Sequence, residues 1–309
     1  MTAGRTPLDP ALDVAAVYAN SFRPLRPALA ATGLRANALR HEALRHTQDA
    51  RVAEEFLVNS RLRRRDVEFE WSVRGYFTDA GAAALSLLGR EGRRGERAVP
   101  LPPSVAMRME LGESLRRRRS TRVYTGDAVP LSHLATLARA ACGVTGHAGG
   151  TGGAGAAPRL ALRSAPSGGG LYPIDLHIAA LRVQGLRRGL YVYDPPGDRL
   201  WQTGDEAGLR ALVASLAAPD QVIMTSQAHS ICLLVARPWR SMRKYGARGM
   251  RHVLLEAGAI AAHINLAAVA LGIGSVDSSS IYDDEAHEAL EIDGVYEALV
   301  HTIVLGAPG

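Results

Sequence analysis

Lys244 is the sole lysine among 309 residues, and it stands beside Tyr245 in Arg243-Lys244-Tyr245-Gly246; the other 35 of the 36 Lys+Arg residues are arginines. An aversion this strong matches a GC-rich coding bias, so a retained lysine marks a position where arginine does not serve. An ammonium loses its proton readily on burial and can act as a base near neutral pH, whereas a guanidinium stays charged. The phenol next to it is a second proton carrier. Taken alone, such a lysine is equally a stray surface residue, and its neighbours must decide.

Three other segments could bind a ligand. Arg116, Arg117, Arg118 and Arg119, followed by Ser120, Thr121 and Arg122, place guanidinium forks and hydroxyls just after an expected helix. That combination suits a phosphate through charge-assisted, bidentate bonds, although a basic run by itself is commonly a solvated face. Pro166-Ser167-Gly168-Gly169-Gly170-Leu171-Tyr172-Pro173 is a turn whose glycines allow positive φ and let backbone N–H groups approach a ligand. Gly272-Ile273-Gly274-Ser275 ends an apolar helix and could do the same, or act as a plain C-cap.

Other motifs carry no chemistry. Gly150 to Gly155 matches the spacing G-x-G-x-x-G, but a helix precedes it and Ala156-Ala157-Pro158 follows, so the strand-turn-helix context of a dinucleotide site is missing. His41-Glu42 with His46 lacks the i, i+4 spacing of a helical zinc pair. There is no P-loop and no nucleophile elbow. Cys142 and Cys232 stand in apolar settings and read as core thiols, with no disulfide framework and no metal site.

A chain with 47% hydrophobic and 21% charged residues can bury a full core. The net charge of +6 is concentrated in residues 1–125, which hold 22 basic and 14 acidic side chains. The clusters lack interleaved aromatics or a helix-turn-helix or zinc signature, so a solvated face is expected and no nucleic acid partner. The start has no basic, apolar leader, and the most apolar segment, Val253 to Ile273, is interrupted by Glu256, His263 and Asn265. It reads as a buried helix, and the protein as cytoplasmic with no membrane span.

The elements that must position these residues follow from periodicity. Residues from Leu8 to about Leu57 read as helices, and the alternation Val67-Glu68-Phe69-Glu70-Trp71-Ser72-Val73 as a strand. A helix is expected from Asp79 to Leu88, and Gly89 to Pro103 reads as a linker, dividing an N-terminal region, 1–99, from a main domain, 100–309. In the latter, helices are expected at Leu131 to Cys142 with Ser132 as N-cap, at Glu206 to Leu216 and near 251 to 271. Strands are expected at Leu176 to Val183, Leu190 to Tyr193, Ser230 to Ala236 and Val300 to Leu305. His147 to Pro158, nearly all Gly and Ala, predicts a mobile loop. Recurrence of both periods in one domain argues for α+β or α/β architecture.

In order and spacing, a set of segments from about Pro100 to Pro308 resembles the FMN-dependent nitroreductase superfamily, specifically its SagB-type branch of azoline dehydrogenases. They are Leu101-Pro102-Pro103, Arg118 to Arg122, Cys142 to Gly146, the Pro166 to Pro173 turn, Gly189 to Asp194, Lys244 to Arg248, Leu255-Glu256-Ala257-Gly258 and Leu271 to Ser275. The resemblance implies an α+β, nitroreductase-like fold with a central mixed sheet flanked by helices, and FMN at a homodimer interface. Arg118, Ser120 and Arg122 would hold the phosphate and ribityl chain, with Arg119 nearby. Pro166, Ser167, Gly168 and Gly169 would line the isoalloxazine, and Gly272, Ile273, Gly274 and Ser275 would lie near its reactive edge.

Ordinary nitroreductases carry Asn where Gly170 stands. They often have a basic residue after the terminal Gly-x-Pro, where Gly306-Ala307-Pro308 is followed by Gly309, so that phosphate contact is missing or supplied from elsewhere. By the same resemblance, a Lys-Tyr pair falls at Lys244 and Tyr245 and serves oxidation of a thiazoline or oxazoline in a modified precursor peptide, with a cyclodehydratase complex as a candidate partner. The chemistry needs a base for the Cα proton. Tyr245 is favoured, with Lys244 tuning it, although the reverse assignment stays open. The N-terminal region would bind peptide or partner. Two other readings remain: a flavin reductase of a nitro, quinone or dehydroamino acid substrate, and a non-catalytic scaffold of a peptide-modifying complex.

Overall fold

The computed structural model describes residues 55–62, 64, 66–78, 97–148 and 160–309. Two compact units divide the chain, Met1–Arg61 and Leu62–Gly309. Of the first, residues 55–59 are helical. The expected helix at 79–88, the G-x-G-x-x-G stretch, His41, His46 and most of the glycine-alanine loop lie outside the described residues.

The second unit is built on a seven-stranded sheet. Its strands are β1 (Arg97–Pro100), β5 (Ile174–Ala180), β7 (Gly189–Asp194), β8 (Arg199–Gly204), β9 (Ser230–Ala236), β10 (Gly274–Ser278) and β11 (Ala298–Gly306), in the order β1-β8-β7-β5-β9-β11-β10. Every ladder in it is antiparallel. Parallel pairing is confined to a small ladder between β2 (Val129–Pro130) and β6 (Val183–Gln184), and β3 (Val144–Ala148) pairs with β4 (Leu160–Arg163). Arg97 to Pro100, expected in a linker, is an edge strand held by the ladder to β8. His147 likewise belongs to β3 rather than to the loop.

Both faces of the central strands are covered, which explains why β9 reads Ser-Ile-Cys-Leu-Leu-Val-Ala with every residue buried. Cys232, Leu234 and Ala236 point into one core, shared with α3 (Leu131–Cys142) and α6 (Gly249–Ala270). Ile231, Leu233 and Val235 point into the other, shared with α4 (Glu206–Ala214) and α7 (Asp283–Leu290). The result is an α+β sandwich of helix, sheet and helix. Helix α6 buries Val253, Ile260 and Ile264 in the first core, as the core reading of this apolar segment requires. Both cysteines are free and buried, and burial pushes each thiol up to about 12.

Local chemistry sets the helix ends. Asp205 caps α4 by accepting from the backbone of Ala207 and Gly208 at 2.8 and 3.0 Å. Pro130, not Ser132, precedes α3, and no side chain caps it. Val67–Thr78 is a helix, α1, instead of a strand. Asp66 accepts from the backbone N–H of Phe69 at 3.2 Å, an N-cap signal that overrides the alternating pattern. Two further helices frame the ligand-binding segments, α2 (Leu111–Arg117) and α5 (Pro238–Tyr245).

Candidate active site

The glycine turn is the focal point. Gly168 to Gly170 form a single 3-10 turn, and Gly169, Gly170 and Tyr172 all adopt positive φ, at 67°, 62° and 47°. The two glycines take such angles freely, whereas a left-handed tyrosine is sustained only where surrounding contacts over-determine it. Here they do. Ser167 Oγ accepts from the backbone of Tyr172 at 2.8 Å, and Tyr172 accepts through its hydroxyl from the Arg163 backbone at 2.9 Å and through its carbonyl from Arg240 at 2.9 Å. Arg240 is anchored in turn on Asp175 at 2.8 Å, which also holds Arg237 at 2.7 Å. Burial acts to raise Asp175, but the Arg240 and Arg237 charges hold its carboxyl below the usual range.

Lys244 and Tyr245 converge on this turn. A Cβ built on Gly169 would lie 2.6 Å from the Tyr245 hydroxyl and 3.0 Å from Lys244 Nζ. Lys244 is 4% exposed, so it is no stray surface residue, and burial lowers its pKa while raising that of Tyr245. Its ammonium stands 5.2 Å from the centre of the Tyr245 ring. Pro238 at the first turn and Gly246, at φ 56°, fix the two ends of α5 that aim the pair.

Two α6 residues missed by the sequence reading belong here. The His252 ring lies 4.8 Å from that of Tyr245, and a Cβ on Gly168 would come within 3.1 Å of the imidazole. Burial and then the charge of Arg248 lower the pKa of His252. One turn on, Glu256 is 4% exposed and takes hydrogen bonds from the Ser167 side chain and the Ile174 backbone, and burial pushes its carboxyl up to about 7. Its Oε2 finds no partner among the described residues. The spacing of His252 and Glu256 at i, i+4 was the available signal.

The arginine segment assembles elsewhere. Ser120 bridges Ser275, and the Thr121 N–H donates to the Ser275 carbonyl at 2.8 Å. A Cβ on Gly274 would stand 2.7 Å from Thr121, so that glycine permits the close approach, while Gly272 supplies a left-handed turn at φ 71°. Ile273 and Ser275 point inward, and Ser275 Oγ donates to Asn265 at 2.7 Å, leaving backbone for any ligand. Arg116 and Arg117 pair with Glu113, and Arg119 turns back onto the carbonyls of Arg116 and Arg118 at 3.0 and 2.8 Å. Burial acts to raise Asp277, but hydrogen bonds from His301 and Asn265, with the charge of Arg118, keep it low. Gly309 donates to the Val123 carbonyl at 3.2 Å, so the terminus runs along the same segment.

These two groups are not brought together within one chain. The turn sits at His252, and Ser275 sits at Asn265, thirteen residues further along α6. At 1.5 Å of rise per residue, that is about 20 Å. Among the described residues, no cluster of His, Cys, Asp and Glu could hold a metal.

Comparison with known proteins agrees with this architecture. The Nitroreductase family model matches residues 115–307, and the chain belongs to the nitroreductase family. A nitroreductase-type protein of Methanocaldococcus jannaschii is 31% identical over 194 residues, which is 63% of this chain and 89% of its own. A nitroreductase-fold structure from Ralstonia eutropha superposes with a TM-score of 0.55 at 23% identity, covering 71% of this chain and 96% of that one. One from Anabaena variabilis gives the same score and identity over 69% of this chain, which spans only 42% of its length. A chain of the Escherichia coli microcin synthetase McbBCD complex, solved with truncated pro-MccB17 bound, superposes with a TM-score of 0.51 at 18% identity, covering 84% and 92%.

Proposed function

We propose that this chain is an FMN-dependent azoline dehydrogenase that oxidises thiazoline or oxazoline rings of a ribosomally made precursor peptide. The observation that carries the reading is the convergence of the buried Lys244 Nζ and the Tyr245 hydroxyl on the Gly169 turn. Desaturating an azoline removes a proton from Cα and a hydride from the adjacent ring carbon, and no side chain accepts a hydride. FMN, when bound, supplies that acceptor.

The residues suit such a group. At Gly168 and Gly169 a Cβ would strike His252, Tyr245 or Lys244, so these glycines bring the backbone of the turn close against the pair. Arg118, Ser120 and Arg122 offer charge and hydroxyl to a phosphate. In this reading the pair moves the Cα proton, with burial lowering the pKa of Lys244 and raising that of Tyr245.

The likeness to the microcin synthetase chain, solved with a peptide precursor bound, supports a peptide substrate and a partner complex, and we place the enzyme in the cytoplasm. Family membership keeps a flavin reductase as the second reading. Mixing the flavin-loaded protein anaerobically with an azoline peptide, and separately with reduced nicotinamide, separates them. Flavin bleaching by the peptide alone is expected. Rapid bleaching by nicotinamide with none by the peptide would make it a reductase. Lys244→Arg keeps the charge without a titratable base, and a loss of turnover on the order of a hundredfold is expected; wild-type turnover would remove Lys244 from the base role.

A further inference from the structure

Helix α1 lies before the residues matched by the family model, yet it meets the helix that bears the lysine and tyrosine. Helix α5 ends at Tyr245, and carbonyls of its last turn meet donors outside it. Gly246 N–H takes the Met242 carbonyl. From 171 and 172 residues away, the one hydroxyl hydrogen of Ser72 is shared between the carbonyls of Arg243, at 3.2 Å, and Lys244, at 2.9 Å. Three residues before Ser72, on the same face of α1, the Phe69 ring lies 6.3 Å from the Tyr245 ring at 32°. The Tyr245 ring thus neighbours both Phe69 and, at 4.8 Å, His252 of α6.

We propose that α1 is a positioning element for the Lys244–Tyr245 pair: Ser72 caps the last turn of α5, and Phe69 holds the Tyr245 ring over Gly169. The proposal rests on the pair being the reacting groups. Neither Ser72 nor Phe69 touches the space over the turn in this role. They act through α5, where an error of an ångström at the reacting atoms slows the reaction far more than the strength of one hydrogen bond or ring contact would suggest.

The lone lysine makes the test specific. In the full chain loaded with FMN, Ser72→Ala and Phe69→Ala should each lower kcat by about tenfold to a hundredfold with little change in KM, and Ser72→Thr should restore it. Reductive methylation with 13C-formaldehyde labels only Lys244 Nζ and the chain's α-amine. Titrating the Lys244 resonance by NMR reads its pKa whether or not turnover occurs. Tyr245 and His252, the titratable groups beside it on α5 and α6, are left in place. In both variants the resonance should titrate about half a unit or more higher than in the wild type, as water reaches the ammonium. Should Ser72→Ala fail to fold, Phe69→Leu, which keeps apolar volume and loses the flat ring, reads the same titration.

An unchanged Lys244 titration together with unchanged kcat would overturn the proposal, as would a fall in melting temperature with the titration unmoved. A shifted titration in a protein whose wild type oxidises no azoline would leave α1 as the positioning element and sink the dehydrogenase reading instead.

Discussion

Gly169 is where the chemistry of single residues is most exposed. Its φ of 67° excludes ordinary side chains, and its α-hydrogen faces the two groups proposed to move protons. Gly169→Ala therefore meets two penalties, a left-handed backbone costing about 1–2 kcal/mol and a collision with the Tyr245 hydroxyl at 2.6 Å. The expected outcome is a modest loss of stability in urea denaturation with a much larger loss of turnover, because the tyrosine must swing away. Equal losses in both measurements would mean that the turn is only structural. Both glycine and lysine were legible as candidates in the sequence, one from its run and the other from its rarity. His252 and Glu256 were not singled out, because their i, i+4 spacing on an apolar helix shows a shared face but not the turn it meets.

At the scale of elements, α6 supports the turn from below through Glu256. The folded-state carboxyl titrates at about 7 against an ordinary 4.5, so the folded chain binds more protons than the unfolded chain between those values. Stability from this group is complete below pH 4.5 and is lost as pH rises through about 7, a change of about 3 kcal/mol. Glu256→Gln keeps a neutral, similarly shaped side chain and lacks that slope. Its stability relative to wild type should climb between pH 5 and pH 8 in chemical denaturation. Burial of His229, whose pKa is pushed down to about 4, gives an opposite slope that is common to both proteins and cancels. Parallel curves would show that Glu256 stays ionised in the folded state. Most elements were readable from period, and β9 matched to the residue. Helix α1 was not, since alternation over seven residues fits either period until the Asp66 cap is weighed.

For the whole molecule, the 20 Å between the glycine turn and Ser275 along α6 has a structural consequence. An isoalloxazine ring is far shorter, so the turn and the Gly272 to Ser275 segment can flank one flavin only if they come from two chains. Two copies packed with α6 helices antiparallel would bring the start of one to the end of the other, a two-fold arrangement. Leu254, Leu255, Gly258 and Ala262 lie exposed along α6 and supply an apolar face for it. Leu255→Glu should then yield a monomer by light scattering and release the flavin on gel filtration. A monomeric variant that keeps its full complement of FMN would rule the two-chain site out.

By itself, the sequence determined the α+β class and the core placement of the 251 to 271 helix, and it offered the four candidate segments. Hydrophobic period, glycine runs and a single lysine are local properties, and local chemistry fixes them. Tertiary structure decided which segments meet. It buried Lys244, turning its pKa down and that of Tyr245 up, and it set Ser72 and Phe69 of α1 against the pair. It also parted the arginine segment from the glycine turn by thirteen residues of α6. Those outcomes depend on desolvation and on contacts between residues up to 172 positions apart, and no periodicity along the chain encodes them.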